Sequence, residues 1–429
     1  MMKMEPMELI ALAIFIGVYG LIMSERIHRT VAAMVGASLV LLIKIVPWEK
    51  VPEYLDLDTI LLLAGMMVVV NVARESGLFE YIAIKTAKLS KGSPMKVLLL
   101  FSVVTAVVSA FLDNVTTVLL LTPMLLYITK KMGVNPIPFL LSEVFASNIG
   151  GTATLIGDPP NIMIGSAANL SFNEFILNMG PIALVDLFAT IGIIYLAYRA
   201  EMNSHKENEE AIKMTIMSLD ERDAIRDPSL FRKSITVLIG VVIGFFFHDK
   251  LGVEPAVIAL TGASILLLWS RASPEHALEK VEWATLFFFG GLFIIVGSLV
   301  ETGLITQVAN WMVSHIHSEG EAVLIISWFS AFSSAIVDNI PFTATMIPLI
   351  KAMGNHMNPY PLWWALSLGA CLGGNGTAIG ASANVVVIGI AHREGVRITF
   401  NDFLKVGMTI MVTTVAIGTA IIWLRYVGL

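Results

Sequence analysis

Long apolar stretches separated by short polar segments run through the whole chain. About 20 apolar residues are enough to cross a bilayer as a helix, and the stretches of roughly this length fall into two sets of five. The first set is 8–24, 30–46, 57–73, 137–168 and 179–198, and the second is 234–249, 254–270, 284–300, 361–391 and 404–425. The pattern predicts an all-α integral membrane protein with five spans in each half.

Two further segments lie between the third and fourth spans of each half. One is short and amphipathic, at 78–93 and again at 304–318, and the other is a longer apolar stretch, at 97–129 and again at 322–350. An Asp-Asn pair interrupts each longer stretch midway. This arrangement predicts a re-entrant hairpin in each half, which enters the membrane and returns to the side that it came from.

The two halves also match letter by letter. The sequence ESGL at 75–78 corresponds to ETGL at 301–304, and SAFLDN at 109–114 corresponds to SAIVDN at 334–339. Farther on, glycine and polar positions of the first half recur 223 residues later. The pairs are Gly150 and Gly373, Gly151 and Gly374, Thr154 and Thr377, Gly157 and Gly380, and Asn161 and Asn384. Matches at polar positions inside apolar sequence indicate a duplicated origin.

The odd number of spans in each half predicts that the two repeats are inverted in the membrane. Lys and Arg concentrate on the cytoplasmic side of membrane proteins, and placing the 24–30 loop there assigns 21 of the 27 Lys and Arg residues to that side. Segment 301–321 contains no Lys or Arg, although the corresponding segment 74–96 contains five. This contrast favours opposite orientations of the two halves.

The domain organisation follows from the repeats. The first inverted repeat covers 1–198, the second covers 234–429, and a hydrophilic linker, 199–233, joins them. The linker carries seven basic and eight acidic residues, which is typical of a solvated connection on the cytoplasmic side. We expect a multi-pass protein of the inner (plasma) membrane, in contact with lipid.

Composition narrows the chemistry of the chain. Its 429 residues are 56% hydrophobic and 14% charged, with a mean hydropathy of +0.80, whereas soluble domains are about a quarter charged. Cys371 is the single cysteine, so any substrate must be held by oxygen or nitrogen atoms. No zinc, nucleotide or nucleophile motif occurs. We therefore expect a carrier, not an enzyme, with no cofactor and no nucleic-acid partner, driven by an ion gradient or by a separate ATPase subunit.

The Asp-Asn pairs are the first candidate site. Asp113 with Asn114, and Asp338 with Asn339, lie within charge-free stretches, and an ionisable group at such a depth is costly and marks function. The alternative is a turn between two ordinary spans, in which Asp and Asn cap helix ends. Each arm has about 16 residues, or ~24 Å of helix, which is short of the ~30 Å hydrocarbon core. The short arms favour the re-entrant hairpin.

The second candidate is a glycine-rich break in the fourth span of each half. Such breaks are tolerated at membrane depth where they line a cavity, and the exposed helix ends can receive a polar oxygen or coordinate Na⁺. The predicted break glycines are Gly150, Gly151, Gly157, Gly373, Gly374 and Gly380. The predicted Na⁺ ligands are Asn114, Asn161, Asn339 and Asn384.

The two halves differ in their acidic residues, because Asp158 of the first half corresponds to Ala381 of the second. Asp113, Asp158 and Asp338 are the candidates for coupling transport to H⁺ or Na⁺. The complete set of predicted substrate- or ion-binding residues is Asp113, Asn114, Thr116, Thr152, Thr154, Asp158, Asn161, Asp338, Asn339, Asn375, Thr377 and Asn384.

Four strings carry a resemblance to a known family. They are LDNVTTVLLLTP at 112–123, NIGGTATLIGDPPN at 148–161, VDNIPFTATMIP at 337–348 and ACLGGNGTAIGASANVVVIGIA at 370–391. They resemble the P-protein (pink-eyed dilution) branch of the arsenite permease and sodium/proton antiporter family. This family is part of the ion-transporter superfamily, which also holds citrate and dicarboxylate carriers.

The resemblance implies a divalent-anion/sodium-symporter-like fold. It implies a scaffold domain and a moving transport domain in each protomer of a homodimer, with the hairpin tips and broken helices enclosing the substrate. Carriers of this superfamily often have Ser-Asn-Thr at the hairpin tips, whereas Asp113 and Asp338 stand in place of the Ser here. Two acids at the site would repel a di- or tricarboxylate.

The sequence thus points to an ion-coupled secondary transporter that works by alternating access. The leading expectation is proton-coupled efflux of a small inorganic substrate such as arsenite or antimonite, because a neutral trihydroxy species needs hydrogen-bonding groups and no thiol. A Na⁺/H⁺ antiporter is the main alternative, since paired acids beside helix breaks suit a cation site. Carboxylate or chloride transport, or a channel, are further alternatives.

Overall fold

The computed structural model describes residues 5–24, 26–203 and 209–428, and every regular element within them is helical. The helices of the first half are α1 (Pro6–Met23), α2 (Arg29–Leu42), α3 (Val51–Tyr54), α4 (Leu57–Glu75), α5 (Leu78–Leu89), α6 (Pro94–Phe111), α7 (Asn114–Met132), α8 (Ile137–Thr152), α9 (Pro159–Ala168) and α10 (Phe172–Asn203). Helix α11 (Glu209–Met217) lies in the linker. The all-helical prediction is confirmed for the described residues.

The second half repeats this order of elements, and its short helix α14, before the third span, corresponds to α3. Its helices are α12 (Pro228–Leu251), α13 (Pro255–Ser270), α14 (Pro274–Glu279), α15 (Trp283–Glu301), α16 (Leu304–His315), α17 (Glu319–Ile336), α18 (Asn339–Met353), α19 (Tyr360–Gly373), α20 (Ser382–Arg393) and α21 (Phe400–Tyr426). Eight of the described helices are long and apolar enough to cross a membrane.

Burial separates central helices from peripheral ones. In α8 and α19 every residue from the second onward is buried, although several of them are polar. In contrast, only 17% of α1 and 22% of the apolar window of α12 are buried, so their apolar side chains are left for lipid. The polar positions of α8 and α19 therefore lie at the centre of the molecule.

Three of the four hairpin arms are longer than the sequence suggested. Helices α6 and α7 have 18 and 19 residues, and α17 and α18 have 18 and 15. At 1.5 Å per residue the longest arm reaches ~28 Å, which is close to the thickness of the hydrocarbon core. Arm length is therefore no argument for re-entry, and that prediction now depends on where the two tips lie.

The linker is mostly exposed or half-buried in its described part, but one face of α11 packs against the first half. Ile212 and Ile216 of α11 are buried. Lys88 Nζ of α5 contacts Glu221 Oε2 at 2.5 Å, and this salt bridge lowers the pKa of Glu221. Residues 204–208 of the predicted linker lie outside the described residues.

Candidate functional site

The Asp-Asn pairs form the tips of the two hairpins and also cap helices. Asp113 precedes α7, where its carboxylate accepts from the Thr116 backbone N–H at 2.8 Å and from the Thr116 hydroxyl at 2.5 Å. Asp338 precedes α18 and accepts from the Ile340 N–H at 3.2 Å. The capping alternative is thus correct for both aspartates, and it coexists with a place at the centre of the molecule.

The first helix break runs from the end of α8 to the start of α9. Here the Asn161 side-chain amide donates to the carbonyl oxygens of Gly151, Thr152 and Thr154, at 3.1, 3.2 and 2.9 Å. These carbonyls would otherwise lack partners in an apolar interior. The Thr154 hydroxyl in turn donates to the Ala110 carbonyl of α6. One asparagine and one threonine therefore fix the broken backbone to the hairpin.

The second break has the same hydrogen bonds. Asn384 donates to the carbonyl oxygens of Gly374 and Thr377 at 2.7 and 2.8 Å. The Thr377 hydroxyl donates to the Ala335 carbonyl of α17 at 2.5 Å. The positions that match in sequence thus have matching partners in the structure.

The glycines have two different roles. Gly157 and Gly380 lie in the unwound segments, as predicted, whereas Gly150, Gly151 and Gly373 lie inside α8 and α19, and Gly374 begins a short 3₁₀ turn. The assignment of Gly150, Gly151 and Gly373 as break positions is therefore corrected, whereas Gly374 lies where the α-helix changes to the 3₁₀ turn. A Cβ on Gly150 would lie 2.2 Å from the Ala106 carbonyl oxygen, and one on Gly373 would lie 2.4 Å from that of Ala331. Gly150 and Gly373 are glycines because a hairpin backbone passes against them.

Asn148 joins three predicted site residues across the two halves. Its amide donates to the side-chain oxygens of Asn375 and Asn384 at 2.9 and 3.1 Å, and its own oxygen accepts from Asn114 at 3.0 Å. All four side chains are buried. Asn148 therefore links the first hairpin tip to the second broken helix.

A reciprocal contact runs the other way. Cys371, which stands 223 positions after Asn148, lies with its thiol 3.4 Å from the Asn161 side-chain oxygen, which also accepts from the Ser367 hydroxyl at 2.7 Å. Asn148 of α8 thus contacts Asn384 of the second break, and Cys371 of α19 contacts Asn161 of the first break. These four residues interlock the two halves.

Asp158 lies between the two halves and is fully buried. Its two carboxylate oxygens accept from the Asn339 amide of the second hairpin tip at 3.2 and 3.3 Å. Asp113 and Asp338 are close enough for their charges to act on Asp158. The three predicted coupling acids therefore belong to one electrostatic cluster.

Arg29 is paired with this cluster. Its guanidinium NH1 donates to Asp338 Oδ2 at 3.1 Å and to the Ser382 hydroxyl at 2.7 Å, and Ser382 also donates to Asp338 at 2.7 Å. The charge pattern placed Arg29 only in a cytoplasmic loop. Nothing in the local sequence indicated that it would reach a residue 309 positions away.

A small cavity lies at the meeting point of the tips. Its volume is about 30 Å³. It is lined by Arg29, Leu63, Met67, Asp113, Asn114, Val115, Asp158, Pro159, Glu282, Thr285, Asn339, Ile340 and Ser382. Both hairpin tips thus contribute to one cavity, which is the arrangement that the re-entrant hypothesis requires. Glu282, which is exposed and was not predicted, lies at its rim.

A second cavity of about 590 Å³ approaches from the other end of the same helices. It is lined in part by Met163 of α9 and Ala344 of α18, each four residues beyond a residue that lines the small cavity, Pro159 and Ile340. Four helical residues span ~6 Å. The two cavities are therefore separated by about one helical turn.

The predicted site residues do not all line the cavity. Thr152 and Thr154 bind backbone carbonyls, and Thr116 binds Asp113. The four asparagines predicted as Na⁺ ligands make no hydrogen bonds to one another, and Asn161 is occupied by the first break. Within the described residues no group of three or more His, Cys, Asp and Glu side chains could hold a metal. The Na⁺ site remains a prediction.

Paired hairpin tips, paired helix breaks and a buried polar cluster define a membrane transporter of the ion-transporter superfamily. The chain belongs to the CitMHS citrate transporter family, whose model matches residues 19–369. The relation to the P proteins is also confirmed, because the chain is 33% identical to the P protein of Homo sapiens over 99% of its own length and 61% of that protein.

Other similar proteins cover the chain from end to end. It is 43% identical to a 46 kDa membrane protein of Mycobacterium leprae, over 98% of this chain and 99% of that protein. The fold is similar to that of the Alcanivorax borkumensis YdaH transporter, with a TM-score of 0.59 at 14% identity over 98% of this chain and 99% of that one. It is also similar to Neisseria gonorrhoeae MtrF, with a TM-score of 0.61 at 11% identity over 90% and 84% of the two chains.

Proposed function

We propose that this membrane transporter exchanges protons for a small monovalent cation, with Na⁺ as the first candidate, by alternating access at the cavity between the hairpin tips. The observation that carries the proposal is the cavity of about 30 Å³ with Asp113 and Asp158 in its wall. Ionised carboxylates in a low-dielectric interior repel one another strongly. A bound cation or a bound proton relieves this repulsion, so the two compete for the same place.

The size of the cavity favours an ion over a larger substrate. The cavity of about 30 Å³ is far smaller than the neighbouring cavity of about 590 Å³, so it suits a small ion better than a substrate as bulky as citrate. Arg29, the cation in the wall, is already paired with Asp338, which leaves no free positive charge for a tricarboxylate.

The charge of the larger cavities favours a cation as well. The 590 Å³ cavity has Glu53, Asp56 and Asp58 in its wall against Lys351. A neighbouring cavity of about 230 Å³ shares Asp58 and adds Asp249 and Glu254. A cleft lined with negative charge raises the local concentration of cations and repels anions.

The two opposed cavities favour alternating access. They meet the same two helices, α9 and α18, from opposite ends and are separated by about one turn. A displacement of that size would connect the site with one cavity and close it to the other. Discontinuous helices at the interface of two repeats are the usual setting for such a site.

Ion exchange in proteoliposomes tests the proposal. We expect an outward Na⁺ gradient to acidify the lumen, measured with a trapped pH dye, and Asp158→Asn to abolish the signal. Asp186→Asn is the matched control, because Asp186 of α10 is also fully buried but lies outside the site. A wild-type protein that moves no protons in response to Na⁺ or K⁺ would contradict cation exchange.

Arsenite or antimonite efflux is the second candidate, favoured by the cluster of hydrogen-bond acceptors at the site. Asp113 and Asp158 can accept from the hydroxyls of a neutral trihydroxy species, with no thiol required. Such a species has three oxygens and is larger than a single bound ion, so the cavity would have to widen. Arsenite release driven by a pH gradient, without a response to Na⁺, would favour this candidate.

A further inference from the structure

Arg29 links α2 of the first half to the hairpin of the second half. Helix α13, which corresponds to α2, has no basic residue that could make the equivalent contact with the first hairpin. Its guanidinium lies against Asp338 and Ser382 and stacks 5.2 Å from the centre of the Phe288 ring. Helix α2 packs on α15, whereas Asp338 and Ser382 stand at the starts of α18 and α20. The ion pair therefore joins the start of α2 to the starts of α18 and α20.

Two substitutions between the repeats explain why only Asp338 is available for this contact. Thr116, three residues after Asp113, satisfies that carboxylate with its N–H and its hydroxyl. The corresponding residue after Asp338 is Pro341, which has neither donor. Ser382 likewise stands where the first half has Pro159. Asp338 thus keeps an acceptor oxygen free for Ser382 and Arg29.

The environment of Arg29 makes the contact conditional on the charge of Asp338. The N-terminal ends of helices carry partial positive charge and disfavour a cation, and Arg29 faces two of them, at α18 and α20. Among the described residues, Asp338 is the only carboxylate bonded to Arg29. If Asp338 loses its charge, the helix ends repel Arg29, and only its hydrogen bond to Ser382 and its stacking on Phe288 remain.

We propose that Arg29 is a tethered counter-ion that latches the second hairpin to α2 until a bound cation neutralises the charge of Asp338. This inference rests on the proposed cation exchange. The other groups facing the Asp338 region are Asp158 of the first break, Asp113 of the first tip and Glu282 at the start of α15. All three are acids, so they favour Arg29 at this place in the unloaded site and attract a competing cation.

The latch would allow only the loaded site to move. In the unloaded state Arg29 holds the start of α18. Tyr19 of α1 also contacts α18, because its hydroxyl donates to the Pro341 carbonyl at 2.5 Å and lies 2.7 Å from the Thr345 hydroxyl. A bound cation releases Arg29, and only the neutral Tyr19 contacts then oppose movement of the hairpin. Coupling between the two ions follows, because an empty site stays latched.

Replacing Arg29 tests the latch by affinity and by coupling. We expect Arg29→Gln to bind Na⁺ about tenfold more tightly, measured as the Na⁺ concentration for half-maximal thermal stabilisation with choline as the reference cation. We also expect Na⁺ efflux without matching proton uptake. Arg26→Gln is the control, because it removes an exposed charge at the same end of α2 without touching Asp338. Wild-type affinity and coupling in Arg29→Gln would overturn the latch.

Pro341→Thr provides a second variant that leaves Arg29 intact. It gives Asp338 the hydroxyl that Asp113 already has, so we expect a shift in the same direction as Arg29→Gln, but about threefold. If Arg29→Gln fails to fold, this variant decides the question. An unchanged Na⁺ affinity in Pro341→Thr would count against the latch.

Cross-linking separates failure of the latch from failure of the proposed substrate. The pair Tyr19→Cys and Thr345→Cys reports the contact between α1 and α18 without any transport. We expect a short bifunctional thiol reagent to join this pair more slowly when Arg29→Gln is added. An unchanged rate would refute the latch, whereas a slower rate in a protein that ignores Na⁺ would refute only the proposed cation.

Discussion

The two hairpin tips share one backbone design and differ in how their aspartates are satisfied. Asp113 is bound by Thr116 of its own helix, whereas Asp338 is bound by Ser382 and by Arg29 from a distant helix. The backbone-anchoring bonds of Thr154 and Thr377 are the same in both halves. Symmetry therefore resides in the framework, and asymmetry in the charged groups.

This division suggests what the duplication contributes to function. A symmetric framework brings two tips and two breaks to one centre, and a symmetric set of charges would place equal acids on both sides. Instead Asp158 has Ala381 as its counterpart, and Arg29 has no basic counterpart in α13. One half carries the buried acid and the other presents the amide that binds it, Asn339.

Substitution of a contact glycine in either half tests the shared framework. We expect Gly150→Ala and Gly373→Ala each to destabilise the protein by about 3 kcal/mol or more, because the new Cβ would overlap a hairpin carbonyl oxygen and overpacking distorts the backbone. The thermal unfolding midpoint of purified protein measures this effect. Gly192→Ala in α10 is the control, since no atom lies within 4 Å of its Cβ position. Equal stability of all three variants would contradict close packing at the breaks.

Moving the buried carboxylate from position 158 to the equivalent position 381 tests the asymmetry of the charged groups. We expect Asp158→Ala to reduce transport by about 100-fold, or ~2.7 kcal/mol, and the double variant Asp158→Ala with Ala381→Asp not to restore it. The reason is that Asn339 binds Asp158, whereas its counterpart Asn114 binds Asn148. Initial rates of ion exchange in proteoliposomes measure both variants. Restoration by the double variant would show that the acid functions equally well in either half.

Sequence patterns were sufficient to locate the framework. The breaks follow from Gly-Gly and Pro-Pro inside apolar spans, and both unwound segments, 153–158 and 377–381, lie within the motifs chosen. Glycine letters alone do not distinguish a helix break from a close helix contact, which is why Gly150 and Gly373 were assigned wrongly. The two uses require different neighbours, and the neighbours are far away in sequence.

Contacts between distant elements were the part that could not be predicted. Arg29 and Asp338 are separated by 309 positions, and no periodicity within α2 indicates which helix end its side chain will reach. Linker packing did leave a signal, because Ile212 and Ile216 are spaced by one helical turn. The many charges around them obscured it.

The interlock between the halves can be tested at its two equivalent positions. We expect Asn148→Ala to destabilise the protein by about 2 kcal/mol, because it leaves buried amides of three other asparagines with fewer partners. Cys371→Ala should cost less, about 0.5 kcal/mol, since a thiol is a weak hydrogen-bond donor. Thermal unfolding measures both, and Cys371→Ser, which keeps a donor, is the control. A larger loss from Cys371→Ala than from Asn148→Ala would reverse this order.

The substitutions with the most symmetric expected effect are at two equivalent threonines. Thr154→Val and Thr377→Val each remove one hydroxyl that donates to a hairpin carbonyl, of Ala110 and Ala335 respectively. A neutral hydrogen bond of this kind contributes about 1 kcal/mol, and the two valines have nearly the shape of threonine. We expect equal decreases in stability, with ion exchange reduced little, because neither hydroxyl lines the small cavity. Unequal decreases would mean that the framework itself differs between the halves, and that the charged groups are not the sole source of asymmetry.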